Sequence, residues 1–487
     1  MKNNTGLLNI RYAQAMSQLD PINQDHVFNF YDKLDQRSKQ KLLSQVEAID
    51  WPEVHRLVRT HVKAKPQFTL PGNVQPAPWY PNKPDQTLSA KYRQATELGE
   101  QLLREGKVAA FTVAGGQGTR LNWDGPKGTY PATPIRNLPL FACLVEFIRN
   151  IQERFDTIVP WYIMTSPVNH EATIKFLVEN NYFGLRKDNV VLFPQVMMPA
   201  FDKATGKVLL DATDSLALSP NGHGGSLKAI YTSGALDDMK QRGIEQISYV
   251  QIDNPIVRVI DPLFIGLHAL DGAQMSSKML PKAYPKEKLG NFCLVDGKMT
   301  VFEYSDLPDE LACETLAGGE LRFRAGSIAI HVMRVDFVEQ LNKSSTGFAL
   351  PFHRAEKKVE YIDLDSGQLI QPPQPNAVKL ETFVFDALPL CNKSIVYETD
   401  RIDEFAPIKN TDGPPGSQVV DCLQTSKDIQ IERAARWLES NGVKVDRDHT
   451  GKVQPAIEIS QLTAIYPDDL KQLHLPDHIP AGTQILL

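Results

Sequence analysis

The sequence is poor in cysteine and in long apolar runs. Its 487 residues contain 5 cysteines, odd in number, widely spaced and without a Cys-x-x-Cys pair, which predicts reduced thiols rather than disulfides or a zinc site. No segment approaches the roughly 18 apolar residues that span a bilayer, and the first residues lack the apolar core of a signal peptide. We therefore expect a cytoplasmic protein without a membrane segment.

Blocks of like charge are missing as well. The formal net charge is −6, and no basic run is long enough to form a nucleic-acid-binding arm. A nucleic-acid partner is therefore disfavoured. Nucleotide binding stays compatible with the sequence, because it needs only a local basic cleft. With 42% hydrophobic and 23% charged residues, the composition is typical of a globular protein. The length predicts two or three domains.

A glycine-rich loop at 114–121 lacks two familiar phosphate-binding patterns. The dinucleotide fingerprint fails because Leu121 stands where its last glycine belongs, and the Gly-Lys-Ser/Thr of a P-loop is missing. The loop nevertheless follows an apolar run at 108–113 and offers Arg120 and Lys127. Glycines let backbone N–H groups turn toward an anion, and the cations add charge, so the loop predicts phosphate binding. A turn without a ligand is the alternative.

The chain divides by pattern into three predicted parts. Residues 1–100 are expected to be a mostly helical region that ends in a proline-rich linker at 66–84, residues 101–390 a catalytic domain, and residues 391–487 a small C-terminal α+β domain. The N-terminal helices fit either a partner-binding module or a lid. The predicted helices are 5–19, 24–49, 168–180, 225–240, 381–388 and 426–442, and the predicted strands are 108–113, 158–164, 190–193, 247–252, 394–398, 456–459 and, in the tail, 480–487.

Strands alternating with helices from residue 108 onward predict an α/β fold, a Rossmann-like mixed but mostly parallel sheet flanked by helices. Ligands of such sheets bind at the carboxyl ends of the strands. The glycine loop, Gln195 and Asp253 each follow a predicted strand. We therefore expect all three at the ligand-binding edge.

The loop and five further segments resemble one family. The loop reads Gly-Gly-Gln-Gly-Thr-Arg-Leu and is followed by Pro-Lys-Gly at 126–128. This is similar to the signature of the sugar-nucleotide pyrophosphorylases, and within them to the UDP-N-acetylhexosamine pyrophosphorylase branch (UDPGP type 1 family of uridylyltransferases). The other matching segments lie in the same order at 193–200, 220–225, 251–255, 302–305 and 379–386, so the resemblance covers about 90 to 410.

The resemblance implies a fold and a reaction. The fold would be the nucleotidyltransferase (GT-A-like) sheet. UTP and a sugar 1-phosphate, N-acetylglucosamine 1-phosphate by default, would give a UDP-sugar and pyrophosphate, with in-line attack by the sugar phosphate on the α-phosphorus. The nucleophile is already charged, so no general base is needed, and His353, which also matches the family, is expected to play a supporting role. The expected catalytic cations are Arg120, Lys127 and Lys379, with Lys409 a weaker match.

The resemblance also assigns the binding residues and the metal. Asp253 would hold Mg²⁺, with Mn²⁺ an alternative ion and an Asx turn or helix cap the structural alternative. The nucleotide would contact Ala114, Gly115, Gly116, Gly118, Thr119, Gln195, Pro220 and Gly222, Gln195 at the uracil edge. The sugar would contact His223, Gly290, Asn291, Glu303, Tyr304 and Ser327.

The chain departs from the family pattern at several positions. Asn122 stands where the family has glycine. Asparagine tolerates the left-handed backbone conformation better than most residues, so the turn can be kept. His223 and Ser327 each replace an asparagine, and Ser226-Leu227-Lys228 replaces a Leu-Tyr-Arg. These last three changes concern the sugar side, so glucose, galactose and N-acetylgalactosamine 1-phosphates stay open as acceptors. A UDP-glucose or broad-range pyrophosphorylase and a non-catalytic nucleotide-sugar sensor are the alternatives. The oligomeric state is not predicted.

Overall fold

The computed structural model describes residues 2–65, 71–344, 347–414, 416–417 and 419–487. Within these ranges the chain forms α-helices joined by short 3₁₀ turns, together with many short strands. The α-helices are α1 Lys2–Leu19, α2 Gln36–Glu47, α3 Trp51–Leu57, α4 Ser89–Arg104, α5 Leu140–Phe155, α6 His170–Glu179, α7 Gly225–Thr232, α8 Ala235–Gln241, α9 Pro262–Leu270, α10 Asp309–Ala312, α11 Val335–Asn342, α12 Arg401–Glu404 and α13 Leu423–Ser440.

The strands are, in chain order, β1 Val74–Pro76, β2 Val108–Val113, β3 Trp161–Thr165, β4 Val190–Pro194, β5 Met197–Pro199, β6 Phe201–Asp202, β7 Leu210–Ala212, β8 Ser215–Leu216, β9 Leu218–Pro220, β10 Gln246–Gln251, β11 Met275–Pro281, β12 Gly290–Val295, β13 Lys298–Phe302, β14 Ala325–Arg334, β15 His353–Lys357, β16 Tyr361–Ile362, β17 Leu369–Ile370, β18 Ala377–Glu381, β19 Ser394–Glu398, β20 Lys444–Val445, β21 Ala456–Glu458, β22 His478–Ile479 and β23 Gln484–Leu486.

The chain forms two compact units. The smaller unit comprises residues 1–70, 195–226 and 350–384, and the larger unit comprises 71–194, 227–349 and 385–487. These units follow different boundaries from the three predicted parts, because two internal segments join the N-terminal residues. The three-part division therefore stays a prediction.

The smaller unit packs the N-terminal helices against short strands. Helix α2 begins at the cap residue Asp35, whose carboxylate accepts from the Ser38 N–H at 2.8 Å, which satisfies one of the free N–H groups of the first turn. Leu42, Leu43 and Val46 on this helix are buried and belong to the same apolar core as residues of β6 and β18. Strands β15, β18 and β6 form a three-stranded sheet.

The larger unit is built on a ten-stranded mixed sheet. Its main path runs β1-β12-β14-β10-β2-β3-β4, with β11, β13 and β19 attached beside it. The strands β10, β2, β3 and β4 are parallel neighbours, whereas β14 runs antiparallel to β10. The sheet is flanked by helices and confirms the predicted α/β class. The loops after β2, β3 and β10 consequently meet at one edge.

Two glycines bring α4 and α9 into close contact beside this sheet. A Cβ on Gly99 would lie 1.8 Å from the Pro262 carbonyl oxygen, and one on Gly266 would lie 1.6 Å from that of Ala95. Only glycine permits backbones to approach this closely. The pair therefore allows the backbones of α4 and α9 to pack directly against each other.

Strand β14 changes neighbours at an irregular residue. Its register against β11 shifts between Ser277 and Met279, and Ala329, which lies in that stretch of β14, has a left-handed φ of 56°. Before this bulge Ser327 pairs with Gly290, and after it His331 pairs with Tyr249. Bulges of this kind redirect strands near functional sites.

Several predicted elements needed correction. The helix predicted at 225–240 is two helices, separated at Gly234 with φ 80°. The helix predicted at 381–388 is the end of β18 followed by a 3₁₀ segment at Val384–Leu390. The helix predicted at 24–49 consists of two short 3₁₀ turns and α2. Of the proline-rich segment, 66–70 lies outside the described residues, and Val74–Pro76 pairs with β12.

No helix in the described ranges is both long and apolar enough to cross a membrane. All 5 cysteines lie in these ranges and carry free thiols.

Candidate functional site

Hydrogen bonds within the protein hold the glycine loop after β2 in place. The Ala114 N–H donates to the Met164 carbonyl at 2.8 Å, and the Gly118 N–H donates to the Gly125 carbonyl at 2.9 Å. The buried Asn169 amide donates to the carbonyls of Ala114 at 3.0 Å and Gly116 at 3.1 Å. The Ala114 and Gly118 N–H groups are therefore used within the protein, and the predicted phosphate cradle depends on the amides of Gly115, Gly116 and Thr119.

The glycines of this region serve two different purposes. A Cβ on Gly118 would meet Trp123 at 2.6 Å, and one on Gly128 would meet the Phe141 ring at 2.2 Å, so both are required by packing. At Gly116, which is exposed, the nearest heavy atom to such a Cβ is the Lys127 Cδ at 3.9 Å. Packing therefore does not require glycine at position 116, in contrast to positions 118 and 128.

Arg120 and Thr119 are exposed on a short 3₁₀ helix, Thr119–Leu121. Asn122 ends this helix in a left-handed conformation with φ 53°. Asn122 therefore adopts the left-handed turn that the sequence predicted for it.

Lys127 and Asp253 come together although they are far apart in the sequence. Lys127 Nζ lies 3.5 Å from Asp253 Oδ2, and the two side chains are 16% and 13% exposed. The contact is long for an ion pair, and part of each group still faces solvent. A loosely paired lysine and carboxylate are suited to exchange partners for phosphate and a divalent cation.

A second lysine and carboxylate, Lys409 and Asp421, lie near the first pair. Lys409 Nζ is 4.0 Å from Asp421 Oδ2, and the N–H of Ile408 donates to the Asp253 carbonyl at 2.8 Å. Burial, together with the negative charges of Asp253 and Glu287, raises the pKa of Asp421, while Lys409 and Arg401 oppose this shift. Asp421 was not among the residues predicted from the sequence, because no recognisable motif surrounds it.

The donor set near Asp253 fits a divalent cation. The two carboxylates are oxygen ligands of the kind that Mg²⁺ prefers. Burial is the main cause of the raised pKa of Asp421, and the charge of Asp253 adds to it. A cation beside these carboxylates would favour their ionised forms.

Three of the predicted sugar residues meet where β12 and β14 pair. Gly290 pairs with Ser327, and Asn291 pairs with Gly326. Asn291 is 2% exposed, and within the described ranges its Oδ1 has no hydrogen-bond partner. An unpaired buried amide oxygen is costly, so a hydrogen-bond donor beside it would be favourable. Glu303 and Tyr304 follow β13, and Tyr304 is exposed.

The remaining predicted residues lie in the smaller unit. Gln195 is buried, Pro220 pairs with Met197, and Gly222 has φ 68° with a Cβ position only 2.3 Å from the Thr382 carbonyl oxygen. Gly222 is therefore required by the turn itself. Lys379 lies in the middle of β18, paired with Ala355.

His223 is held in one tautomer in the smaller unit. The Val384 N–H donates to His223 Nδ1 at 3.1 Å, which leaves the proton on Nε2. The ring stacks on Phe383 at 5.3 Å between centroids, and burial, with the charge of His353, lowers the pKa of His223 to about 4. The ring is neutral at physiological pH.

These observations can be compared with known proteins. The model of the UTP–glucose-1-phosphate uridylyltransferase family matches residues 57–464. The chain belongs to this family.

Curated relatives extend over nearly the whole chain. It is 34% identical over 481 residues to the UDP-N-acetylhexosamine pyrophosphorylase-like protein 1 of Mus musculus, covering 93% of each. It is 32% identical to the UDP-N-acetylglucosamine pyrophosphorylase of Saccharomyces cerevisiae, covering 87% of this chain and 90% of that protein. The predicted family is thereby confirmed, and with it a uridylyltransferase enzyme.

A solved structure supports the fold. The uridine diphosphate N-acetylglucosamine pyrophosphorylase from Trypanosoma brucei, solved in complex with an inhibitor, superposes with a TM-score of 0.81 at 24% identity and covers 95% of this chain and 94% of that one. At this identity the likeness confirms the predicted α/β architecture, and the roles of individual residues stay predictions.

Proposed function

We propose that the protein transfers the uridylyl group of UTP to N-acetylglucosamine 1-phosphate, releasing UDP-N-acetylglucosamine and pyrophosphate. The observation that carries this proposal is the exposed Gly116 loop beside the Lys127–Asp253 pair at 3.5 Å. The family and the names of the two curated relatives support the same reaction.

The chemistry needs positioning and charge more than proton transfer. The sugar phosphate attacks the α-phosphorus through an oxygen that is already anionic, and pyrophosphate leaves on the opposite side. In the larger unit, the amides of Gly115, Gly116 and Thr119 would hold phosphate oxygens, and Arg120 and Lys127 would offset the charge of the departing pyrophosphate. Lys409, beside Asp421, is the next candidate cation.

We assign Asp253, with Asp421 nearby, as the carboxylates that would hold Mg²⁺ or Mn²⁺. When bound, the ion would supply positive charge to phosphate oxygens. Lys127 would then exchange its contact with Asp253 for one with a phosphate.

The sugar and uracil contacts remain proposals for individual residues. Asn291 offers a buried Oδ1 acceptor without a partner in the described ranges, which fits a sugar hydroxyl or amide donor, with Gly290, Glu303, Tyr304 and Ser327 as further candidates. In the smaller unit, Gln195, Pro220 and Gly222 stay the candidates for uracil, His223 for the sugar and Lys379 for phosphate.

The free thiols support a cytoplasmic location as part of the same proposal.

The test is pyrophosphate release from UTP with a panel of sugar 1-phosphates at fixed Mg²⁺. We expect release with N-acetylglucosamine 1-phosphate, and at least ~100-fold less in Asp253→Asn, which keeps the shape but loses the charge. Asp237→Asn, an exposed carboxylate on α8, is the matched control. Preference for glucose 1-phosphate would replace the proposed sugar, and UDP-sugar binding without any release would indicate a sensor instead of an enzyme.

The cause of sugar preference can be tested separately. Ser327 is half-buried where β14 pairs with Gly290, so Ser327→Asn adds an amide at the proposed sugar contact. We expect the ratio of N-acetylglucosamine to glucose 1-phosphate use to change by about 10-fold, the effect of one buried hydrogen bond. An unchanged ratio would remove Ser327 from the sugar site.

A further inference from the structure

Helix α13, in the C-terminal part of the larger unit, carries polar side chains on a buried face. Ser426 is 1% exposed and Arg433 is 7% exposed, and Gln430 lies half-buried between them. Spacings of four and three residues place them on one side of the helix. A helix that served only to cover a core would have apolar residues there, because burying polar groups is costly.

Each of these side chains donates to a backbone carbonyl of a distant segment. Ser426 Oγ donates to Ala406 at 2.7 Å, and Gln430 Nε2 donates to Ala132 at 2.8 Å. Arg433 makes longer contacts, its Nη1 lying 3.4 Å from the carbonyls of both Ile256 and Asp403.

The accepting segments are those that lead to the proposed phosphate and metal groups. Ala132 lies shortly after Lys127, Ile256 shortly after Asp253, and Ala406 shortly before Lys409. Lys127, Asp253 and Lys409 are each more than 100 residues apart in the sequence. The backbone next to each of them nevertheless accepts a hydrogen bond from the same helix, α13.

Two of the segments are also bonded to each other. The Asn254 amide donates to the Glu404 carbonyl at 2.7 Å, and the Ala406 N–H donates back to Asn254 Oδ1 at 3.1 Å. The Ile408 N–H donates to the Asp253 carbonyl at 2.8 Å. Hydrogen bonds therefore connect the 404–408 segment directly to Asp253 and Asn254.

Arg433 is held in place by more than its two carbonyls. Its guanidinium lies 4.4 Å from the Trp437 ring centroid, and the Trp437 indole donates to Asp403 Oδ1 at 3.1 Å. Burial and the charge of Arg258 lower the pKa of Arg433 to about 10, so the side chain stays charged at neutral pH although charge is disfavoured there. Removing it would leave carbonyls without their donor.

We propose that Ser426, Gln430 and Arg433 are positioning residues, and that helix α13 sets the mutual positions of Lys127, Asp253 and Lys409. The proposal rests on the proposed function, because it assigns these three groups to phosphate and metal. None of the α13 residues is assigned to substrate. They act by fixing the backbone that carries the reacting groups, and a displacement of about 1 Å in such groups can cost up to ~100-fold in rate.

The test compares the variant Ser426→Ala/Gln430→Met with the control Ser440→Ala/Arg436→Met. The control residues lie on the same helix, and both are exposed. We expect kcat of the first variant to fall about 10-fold or more while KM for UTP changes less than about 3-fold, because position rather than contact is lost.

A second measurement does not depend on turnover. Hydrogen exchange of the Ile408 and Lys409 amides, which are bonded to the carbonyls of Asp253 and Asp421 at 2.8 and 2.6 Å, is followed in the full chain without substrate or metal. We expect about 10-fold faster exchange in the first variant and no change in the control.

The outcomes separate this inference from the proposed function. Wild-type values of kcat and of exchange in the first variant would overturn it, and so would a uniform loss of protection throughout the larger unit, which would mean a merely structural role. An inactive wild-type protein would overturn the proposed function, and faster exchange at Ile408 and Lys409 would then still show that α13 holds this segment.

Discussion

Replacing Gly116 with alanine separates the ligand-binding role of the glycine loop from its role in folding. The added methyl group would lie 3.9 Å from the nearest heavy atom, Lys127 Cδ, which is ordinary van der Waals contact. The φ angle of Gly116 is not positive, so alanine can adopt the same backbone conformation without left-handed strain. We expect unchanged stability, or a gain of about 0.4–1 kcal/mol through the less flexible unfolded chain.

The effect on UTP should be large by contrast. A phosphate oxygen bound to the Gly116 amide would lie about 2.9 Å from its nitrogen, where a methyl group on the adjacent carbon crowds it. Loss of one charge-assisted hydrogen bond costs about 1.5–3 kcal/mol. At about 1.4 kcal/mol per factor of ten, KM for UTP should rise roughly 10- to 150-fold.

Two neighbouring glycines provide matched controls in which folding should suffer instead. In Gly118→Ala the methyl group would lie 2.6 Å from Trp123 Cβ, and in Gly128→Ala it would lie 2.2 Å from Phe141 Cε2. Overpacking of this kind costs about 1–3 kcal/mol. The assay measures the thermal midpoint of unfolding and KM for UTP on the same preparations.

The opposite pattern would refute this reasoning. If Gly116→Ala binds UTP as the wild-type protein does, no phosphate approaches that amide, and the loop is a turn without a ligand at this position. If Gly116→Ala unfolds at a lower temperature than Gly118→Ala, packing requires glycine at position 116 more than at position 118.

Three further predictions concern stability. Lys278→Met should lower the unfolding free energy by about 3–5 kcal/mol, because the buried Lys278 Nζ lies 2.6 Å from Asp261 Oδ2 and 2.7 Å from Glu404 Oε1; a loss below 1 kcal/mol in urea unfolding would contradict this. Burial lowers the pKa of His268 to about 3 in the folded protein, whereas the unfolded chain binds the proton at about 6.5. The folded state should therefore lose stability relative to the unfolded state as pH falls from about 6.5 toward 3. The free energy of unfolding of His268→Gln should depend less on pH in that range. Ala329→Gly should raise the unfolding free energy by about 1 kcal/mol by removing the left-handed strain at φ 56°; equal thermal midpoints would show that the bulge is unstrained.

The sequence predicted the elements whose signals are local. The apolar run at 108–113 is β2 with the same bounds, and the strand predicted at 394–398 is β19. Both are short apolar segments that end at glycine or polar residues, so the periodicity and the boundary agree. The loops after β2 and β10 follow parallel strands, which is why Lys127 and Asp253 could be expected at one edge before their 3.5 Å contact was known.

The errors arose where tertiary structure outweighs local preference. The predicted helix at 225–240 continues in hydrophobic pattern across Gly234, but this residue takes φ 80° and separates α7 from α8. At 381–388 the apolar residues fit a helical spacing, yet Glu381 pairs with His353 in a strand. A pattern of buried residues shows which side chains face a core and leaves open whether a helix or a strand presents them.

The groups that hold the site were beyond the reach of sequence reasoning for a physical reason. A residue that touches phosphate or metal must have a particular charge, so Lys127 and Asp253 stand out in a motif, whereas Ser426 and Gln430 act on the carbonyls of Ala406 and Ala132. Any residue can supply such a carbonyl, so the accepting end of the contact leaves no trace in the sequence. Family resemblance can therefore indicate the groups that meet the substrate, while the groups that fix their geometry become visible only once the chain is folded.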